Sequence, residues 1–287
     1  AHIEKFANGE IKCHLAQSVR GSDVFIIQTH SPSVNDAIME QAIMIDAAKR
    51  ASARHITAVC PFLGYARQDR KATGREPISA RLVIDILSTA GAHRIVSVDL
   101  HSGQIQGFFN GPFDHLTALP LLVGHIKKNF RRGFVIVSPD AGRVKVADRY
   151  ALKLGADLAI VHKRRLGAGR TQALSVIGEV KNQHCVIVDD MIDTASTVVP
   201  VATLLKDQGA KSVSVIVTHG LFSDPATERL ANSKIDTLVF TDTLPTVLKL
   251  SEPKIKVLSV AGLLASAIKA IFEERSVSAL FDDSNQI

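Results

Sequence analysis

Asp189 and Asp190 end the apolar run CVIV, and Asp193, Thr194, Ser196 and Thr197 crowd the positions that follow in VIVDDMIDTASTVV. Adjacent carboxylates accept hydrogen bonds from ligand hydroxyls or bind a magnesium ion. Hydroxyls gathered where a helix begins, beside unsatisfied backbone N–H groups, suit a phosphate dianion. The carboxylates would repel that phosphate, so the two clusters must face different parts of one ligand. A sugar phosphate has both parts. The plainer reading, Asp193 or Thr194 capping a helix beside solvated aspartates, would need only one such side chain.

Other stretches place cations and a histidine where polyphosphate chemistry could use them. In YARQDRK, Arg67, Gln68, Asp69, Arg70 and Lys71 directly follow an apolar run. There the cations can meet phosphate while the amide and carboxylate orient a base or sugar, or the segment is simply a solvated loop. His101 follows Asp99 in RIVSVDLH, and Asp140 ends FVIVSPD. A histidine with a carboxylate from another strand end could contact magnesium, although a lone histidine is more often structural. Lys163, Arg164 and Arg165 lead into LGAGRTQA, a glycine-containing stretch expected to be mobile enough to close over a ligand. Phe6, Asn8 and Glu10 sit in FANGEI, which reads as a turn around a glycine. A Gly-x-x-x-x-Gly-Lys-Ser/Thr loop, a serine-hydrolase pattern and zinc-ligand spacing are all absent, so ATP, if bound, would be held by another device.

Composition narrows the partners. Lysine and arginine exceed aspartate and glutamate by 34 to 28, which suits anionic ligands. With no tryptophan and two tyrosines, none interleaved with the basic clusters, nucleic-acid binding has little support beyond charge. Cys13, Cys60 and Cys185 lack metal-ligand spacing and read as thiols of a reducing compartment. No apolar segment has the length of a membrane span, and no signal-peptide pattern opens the chain, so a cytoplasmic location is expected.

The elements that must hold these residues follow from periodicity. Apolar, β-branched runs stop at polar residues in DVFIIQT, HITAVCPF, RIVSVDLH, FVIVSPD, LAIVHK, CVIVDD, VSVIVTHG and TLVFTD. Helical patterns lie between them, over 34–53, 78–90, 144–154 and 197–208. Near-continuous apolar runs mean strands covered on both faces, so the expected class is α/β with mainly parallel sheets flanked by helices. Ligands in such sheets gather beyond the carboxyl ends of the strands, where the Asp, His and Thr residues repeatedly fall. With 287 residues, the chain suits two domains, divided near Gly111-Pro112 into 1–112 and 113–287. A closing helix over 262–274 could pack on either half.

At this point the chain resembles a known family. The Asp189-to-Thr197 segment is similar to the phosphoribosyl-binding loop of the type I phosphoribosyltransferase fold. FANGEI, PFLGYARQDRK, the GREPISAR run, VDLHSGQIQGFF, VSPDAGRV and AIVHKRR resemble the ribose-phosphate pyrophosphokinase family, in order along nearly the whole chain. The resemblance implies two domains of that fold, with an ATP side over 1–112 and a ribose 5-phosphate side over 113–287. It implies transfer of a diphosphoryl group from MgATP to ribose 5-phosphate, giving AMP and the phosphoribosyl diphosphate that feeds nucleotide, histidine and tryptophan synthesis.

By the same resemblance, Asp189 and Asp190 hold the ribose hydroxyls, and Asp193, Thr194, Ala195, Ser196 and Thr197 surround the 5-phosphate. Arg67, Gln68, Asp69 and His101 bind ATP, while Phe6, Asn8 and Glu10 reach a neighbouring subunit's ATP site, Phe6 stacking on adenine. His101 and Asp140 bind Mg2+, and Lys163 and Arg165 are catalytic cations. A homohexamer built from dimers, with ADP and phosphate as regulators, is also implied. The family pattern departs at Ala195-Ser196, where one or two glycines usually stand. Glycine takes positive φ cheaply and alanine or serine does not, so a weaker phosphate loop is expected. The resemblance implies an opening strand and helix ahead of Ala1. A noncatalytic partner of the synthetase and a purine or pyrimidine phosphoribosyltransferase are the alternative readings.

Overall fold

The computed structural model describes residues 1–130, 133–164, 173–245 and 254–281. The chain divides into two compact units, Ala1–Thr117 with Ala261–Ile287, and Ala118–Val260.

In the first unit, β1 (His2–Lys5) and β2 (Ile11–His14) form an antiparallel hairpin with Lys5 opposite Ile11. β3 (Asp23–Ile27), α1 (Val34–Arg50), β4 (His55–Cys60), α2 (Ser79–Ala90), β5 (Arg94–Val98) and β6 (Phe113–Leu116) follow. The four strands β3 to β6 pair in chain order, all parallel. The first unit runs past Gly111-Pro112 to Thr117 because β6 is a strand of its sheet. α1 buries Ile38, Gln41, Ala42, Ile45 and Ala48, one stripe at helical spacing whose single polar member is Gln41. α2 presents Val83, Ile84 and Leu87 and stops at Gly91, whose φ of +124° ends the helix without a Cβ penalty.

The second unit opens with α3 (Leu119–Asn129), β7 (Phe134–Ser138), α4 (Val144–Leu154), β8 (Asp157–Arg164) and β9 (Ala173–Ile177). It continues with β10 (His184–Ile192), α5 (Val198–Asp207), β11 (Ser212–Gly220), α6 (Ala226–Ala231), β12 (Thr237–Thr241) and β13 (Ile255–Leu258). Its sheet runs β13-β12-β11-β10-β7-β8-β9, parallel except for the last pair. β10 lies inside, with Val186 opposite Ser214 of β11 and Ile136 of β7. Its residues Cys185 to Val188 are fully buried, as expected of a run covered on both faces. α3 buries Leu119, Leu122, Val123 and Ile126 and accepts Pro120 in its first turn, where proline's missing N–H costs nothing. The last helix, α7 (Ala261–Phe272), belongs to the first unit.

Candidate active site

β10 and β7 are neighbours, so their carboxyl ends bring Asp189-Asp190 beside the turn that follows Ser138. That turn is built on Asp140. Its Oδ1 accepts from the N–H groups of Gly142 (2.8 Å) and Arg143 (3.1 Å), while Ser138 Oγ donates to its carbonyl (2.7 Å). The short 3-10 turn Ala141–Arg143 so formed aims Arg143 at β10. Arg143 Nε stands 3.2 Å from Asp189 Oδ1 and Nη2 stands 2.6 Å from Asp190 Oδ2. The side chains of Arg143, Asp189 and Asp190 are only 14%, 12% and 9% exposed.

One guanidinium thus bridges two nearly buried carboxylates. Burial pushes the Asp189 carboxyl well above the usual carboxylate range, the Asp190 charge pushes it further, and Arg143 draws it back. Asp190 N–H also donates to Asp189 Oδ1 (2.8 Å). Sequence reasoning does not single out Arg143. The available signal is that adjacent carboxylates at a buried strand end need a cation, and VSPDAGRV offers one at the end of a neighbouring strand.

The hydroxyl loop begins where β10 ends. Leu221 and Phe222 N–H groups both reach Ile192 O, at 2.9 and 3.3 Å, and Arg229 of α6 donates to Thr194 O at 2.9 Å. Thr194 Oγ1 donates to Ser196 Oγ (3.1 Å), and Thr197 stands at the N-cap of α5 without a side-chain capping bond. The hydroxyls therefore gather at a helix start without being used as its cap. Within 193–197, Ala195 alone has positive φ, +59°, so the backbone demand for glycine falls there and not on Ser196. Ala195 meets it with its methyl buried in the core of the unit.

In the first unit, Arg67, Gln68 and Asp69 lie in the connection between β4 and α2. Gln68 seats that helix: Ser79 Oγ donates to its Oε1 (2.7 Å) and Ala80 N–H to its carbonyl (3.1 Å). Arg67 is exposed. Phe6, Asn8 and Glu10 form the tip of the β1-β2 hairpin, closed by Phe6 N–H on Glu10 O (2.8 Å) and Glu10 N–H on Asn8 Oδ1 (3.2 Å). Phe6 is 53% exposed, a large apolar ring offered outward. His101 is half-buried between Asp99, held by its N–H on Leu116 O (2.8 Å), and the 3-10 turn Gly103–Phe108.

His101 and Asp140 belong to different units. Among the described residues, no three His, Cys, Asp or Glu side chains converge as a metal cage. Magnesium needs none, since it binds through one or two carboxylates plus phosphates and water. Asp140 fits that mode: Oδ1 is tied to the turn, and Oδ2 takes no hydrogen bond from the described residues. Lys163 lies in β8, its backbone in register with Leu174 of β9. Arg165 lies outside the described residues.

The chain is similar to known proteins over nearly its whole length. Residues 1–91 match the N-terminal domain of ribose phosphate pyrophosphokinase, and residues 165–282 match a phosphoribosyl synthetase-associated domain. The ribose-phosphate pyrophosphokinase of Streptomyces coelicolor is 55% identical over 97% of this chain and 87% of its own length. The chain belongs to the ribose-phosphate pyrophosphokinase family. The Bifidobacterium longum ribose-phosphate pyrophosphokinase is likewise 55% identical, over 96% of this chain and 83% of that one. The crystal structure of phosphoribosylpyrophosphate synthetase from Mycobacterium smegmatis superposes with a TM-score of 0.90 at 50% identity, over 95% of this chain and 90% of that one. The α/β class and parallel sheets read from periodicity are therefore those of the family. No helix of the described residues is long and apolar enough to cross a membrane.

Proposed function

We propose that this chain transfers the β,γ-diphosphoryl group of MgATP to the C1 hydroxyl of ribose 5-phosphate, releasing AMP and 5-phosphoribosyl 1-diphosphate. The observation that carries this reading is about 55% identity, over nearly the whole chain, to proteins named for that activity.

Asp189 and Asp190 accept hydrogen bonds from the ribose hydroxyls, and the turn from Asp193 through Thr194, Ala195, Ser196 and Thr197 receives the 5-phosphate at the start of α5. Arg143 bridges the two carboxylates and offsets part of their mutual repulsion beside the sugar. Arg67, Gln68, Asp69 and His101 bind ATP. The exposed Phe6, with Asn8 and Glu10, extends from the hairpin toward a neighbouring subunit's adenine, so the site needs an oligomer, and the family resemblance makes that a hexamer of dimers. In the reaction the C1 oxygen bonds to the β-phosphorus, the bond from that phosphorus to the α-phosphate oxygen breaks, and the hydroxyl proton departs.

His101 in one unit and Asp140 in the other are each a proposed magnesium ligand, and bound magnesium would offset charge on the phosphates. Lys163 and Arg165 supply further positive charge to the oxygens where negative charge builds, so alignment and electrostatics do the catalysis without a covalent protein intermediate. ADP and phosphate are expected regulators, and the buried thiols of Cys60 and Cys185 suit the cytoplasm.

AMP release from ATP, with and without ribose 5-phosphate, tests the reaction. Ribose-dependent AMP that disappears with a magnesium chelator is expected. Binding of both substrates without AMP would make the chain a noncatalytic partner, and base-dependent diphosphate release would make it a phosphoribosyltransferase. The long matches to ribose-phosphate pyrophosphokinases favour neither alternative.

A further inference from the structure

Behind the Arg67-Gln68-Asp69 segment lies a closed polar network centred on His30 and Gln41, both fully buried. Gly64 N–H stands 3.0 Å from His30 Nδ1. A backbone N–H can only donate, so Nδ1 is the bare nitrogen and Nε2 carries the proton. Nε2–H then donates to Gln41 Oε1 at 2.8 Å. Cys60 Sγ donates to the same oxygen at 3.3 Å. The Gln41 amide donates to Ile26 O (3.2 Å) and Val59 O (3.4 Å), on β3 and β4. Burial holds the ring neutral, its pKa lowered to about 4.

The network grips the chain leaving β4. A Cβ on Gly64 would lie 2.9 Å from Val34 Cγ1 and 3.0 Å from His30 Cβ, so the backbone passes the ring at a distance that glycine permits. His30 N–H adds a bond to Phe62 O (3.1 Å). Tyr65 follows with a φ of +62°, and its hydroxyl donates to Asn35 Oδ1 (2.6 Å). Gln68 N–H then returns to Tyr65 O (2.9 Å). The turn that presents Arg67 and Gln68 is thus fixed at Gly64 from inside the core and at Tyr65 from the surface.

We propose that His30 is a positioning residue for the ATP segment, setting the place of Arg67 and Gln68 through its Nδ1 bond to Gly64. The inference rests on reading Arg67, Gln68 and Asp69 as ATP-binding. It differs from a general packing role, because only one of the two ring nitrogens faces the segment.

Two substitutions separate the nitrogens. His30→Asn sets an amide oxygen near Nδ1 and keeps the Gly64 bond while losing the one to Gln41. His30→Gln reaches the Nε2 position, keeps Gln41 and loses Gly64. Both leave one buried group unpaired, so a similar drop in thermal midpoint is expected. Dissociation constants for a nonhydrolysable ATP analogue and for ribose 5-phosphate are then measured on the full chain. His30→Gln is expected to weaken the ATP analogue by about tenfold and His30→Asn by less than about threefold, with ribose 5-phosphate unchanged in both.

Equal weakening of the ATP analogue by the two variants, or no weakening by His30→Gln, overturns the proposal. Tyr65→Phe removes the surface tie without touching the core and should weaken the analogue by about twofold to threefold. If neither His30 variant folds, an unchanged affinity in Tyr65→Phe overturns the clamp. Wild-type chain that binds the analogue but makes no ribose-dependent AMP contradicts the proposed reaction alone. Wild-type chain that does not bind it overturns both.

Discussion

Arg143 bridges two adjacent carboxylates and offsets only part of the push toward protonation that burial and the Asp190 charge give Asp189. Arg143→Gln is expected to cost about 3 kcal/mol of stability at neutral pH, because it leaves nearly buried negative charge unpaired. The deficit should shrink as pH falls, since the folded-state carboxyl pKa is raised and protonation removes the repulsion. Urea unfolding at pH 7 and pH 5 measures it. At Ala195, relief of the left-handed strain by glycine, about 1 to 2 kcal/mol, opposes the loss of a buried methyl, about 0.8, and added unfolded-state freedom, about 0.5 to 1. Ala195→Gly should therefore change stability by less than about 1 kcal/mol in urea unfolding, whereas Ala195→Val, β-branched at positive φ, should lose more than about 2. Alanine is tolerated because its methyl is packed. Lys163→Ala is expected to reduce turnover on the order of a hundredfold while leaving ribose 5-phosphate affinity within about twofold, read by steady-state kinetics beside direct binding.

At the scale of elements, the join between α1, β3 and β4 carries a pH signature. His30 titrates near 6.5 when unfolded and near 4 when folded, because burial disfavours its charged form. Its contribution is complete above pH 6.5 and is lost as pH falls toward 4, at most about 3 kcal/mol, after which the loss levels off. Unfolding free energies from pH 7 to pH 4 should show that slope in wild type and lack it in His30→Asn. The strands β3, β4, β5, β7, β8, β10, β11 and β12 and the helices α1, α2, α4 and α5 are legible in the sequence, because continuous β-branched runs and 3.6-residue stripes are local signals. The hairpin strands β1 and β2, and β6, β9 and β13, are not. β1, β2 and β13 have no fully buried position, so they resemble loop until a neighbour pairs with them.

At the scale of the whole molecule, the first unit is assembled from both ends of the chain. α7 and the turn after it contribute Ala267, Ala270, Val277 and Phe281 as buried residues. Removing 261–287 should therefore destabilise β3 to β6, seen as faster amide exchange in those strands, and unchanged exchange would contradict the assignment.

The sequence by itself determined the α/β class, the acids in or just beyond the carboxyl ends of the strands, and the family, because each rests on residue order within one segment or on segments in series. It also placed the carboxylates and hydroxyls of the candidate sugar site on one continuous segment, from the end of β10 into the turn before α5. Only the tertiary structure decided that Arg143 is the partner of Asp189 and Asp190, that the positive φ falls on Ala195, and that His30 lies under Gly64. Those three facts depend on which strands are neighbours and on how closely backbones pass. Pairing across a sheet and burial are properties of contacts distant in sequence, where neither periodicity nor composition leaves a local trace.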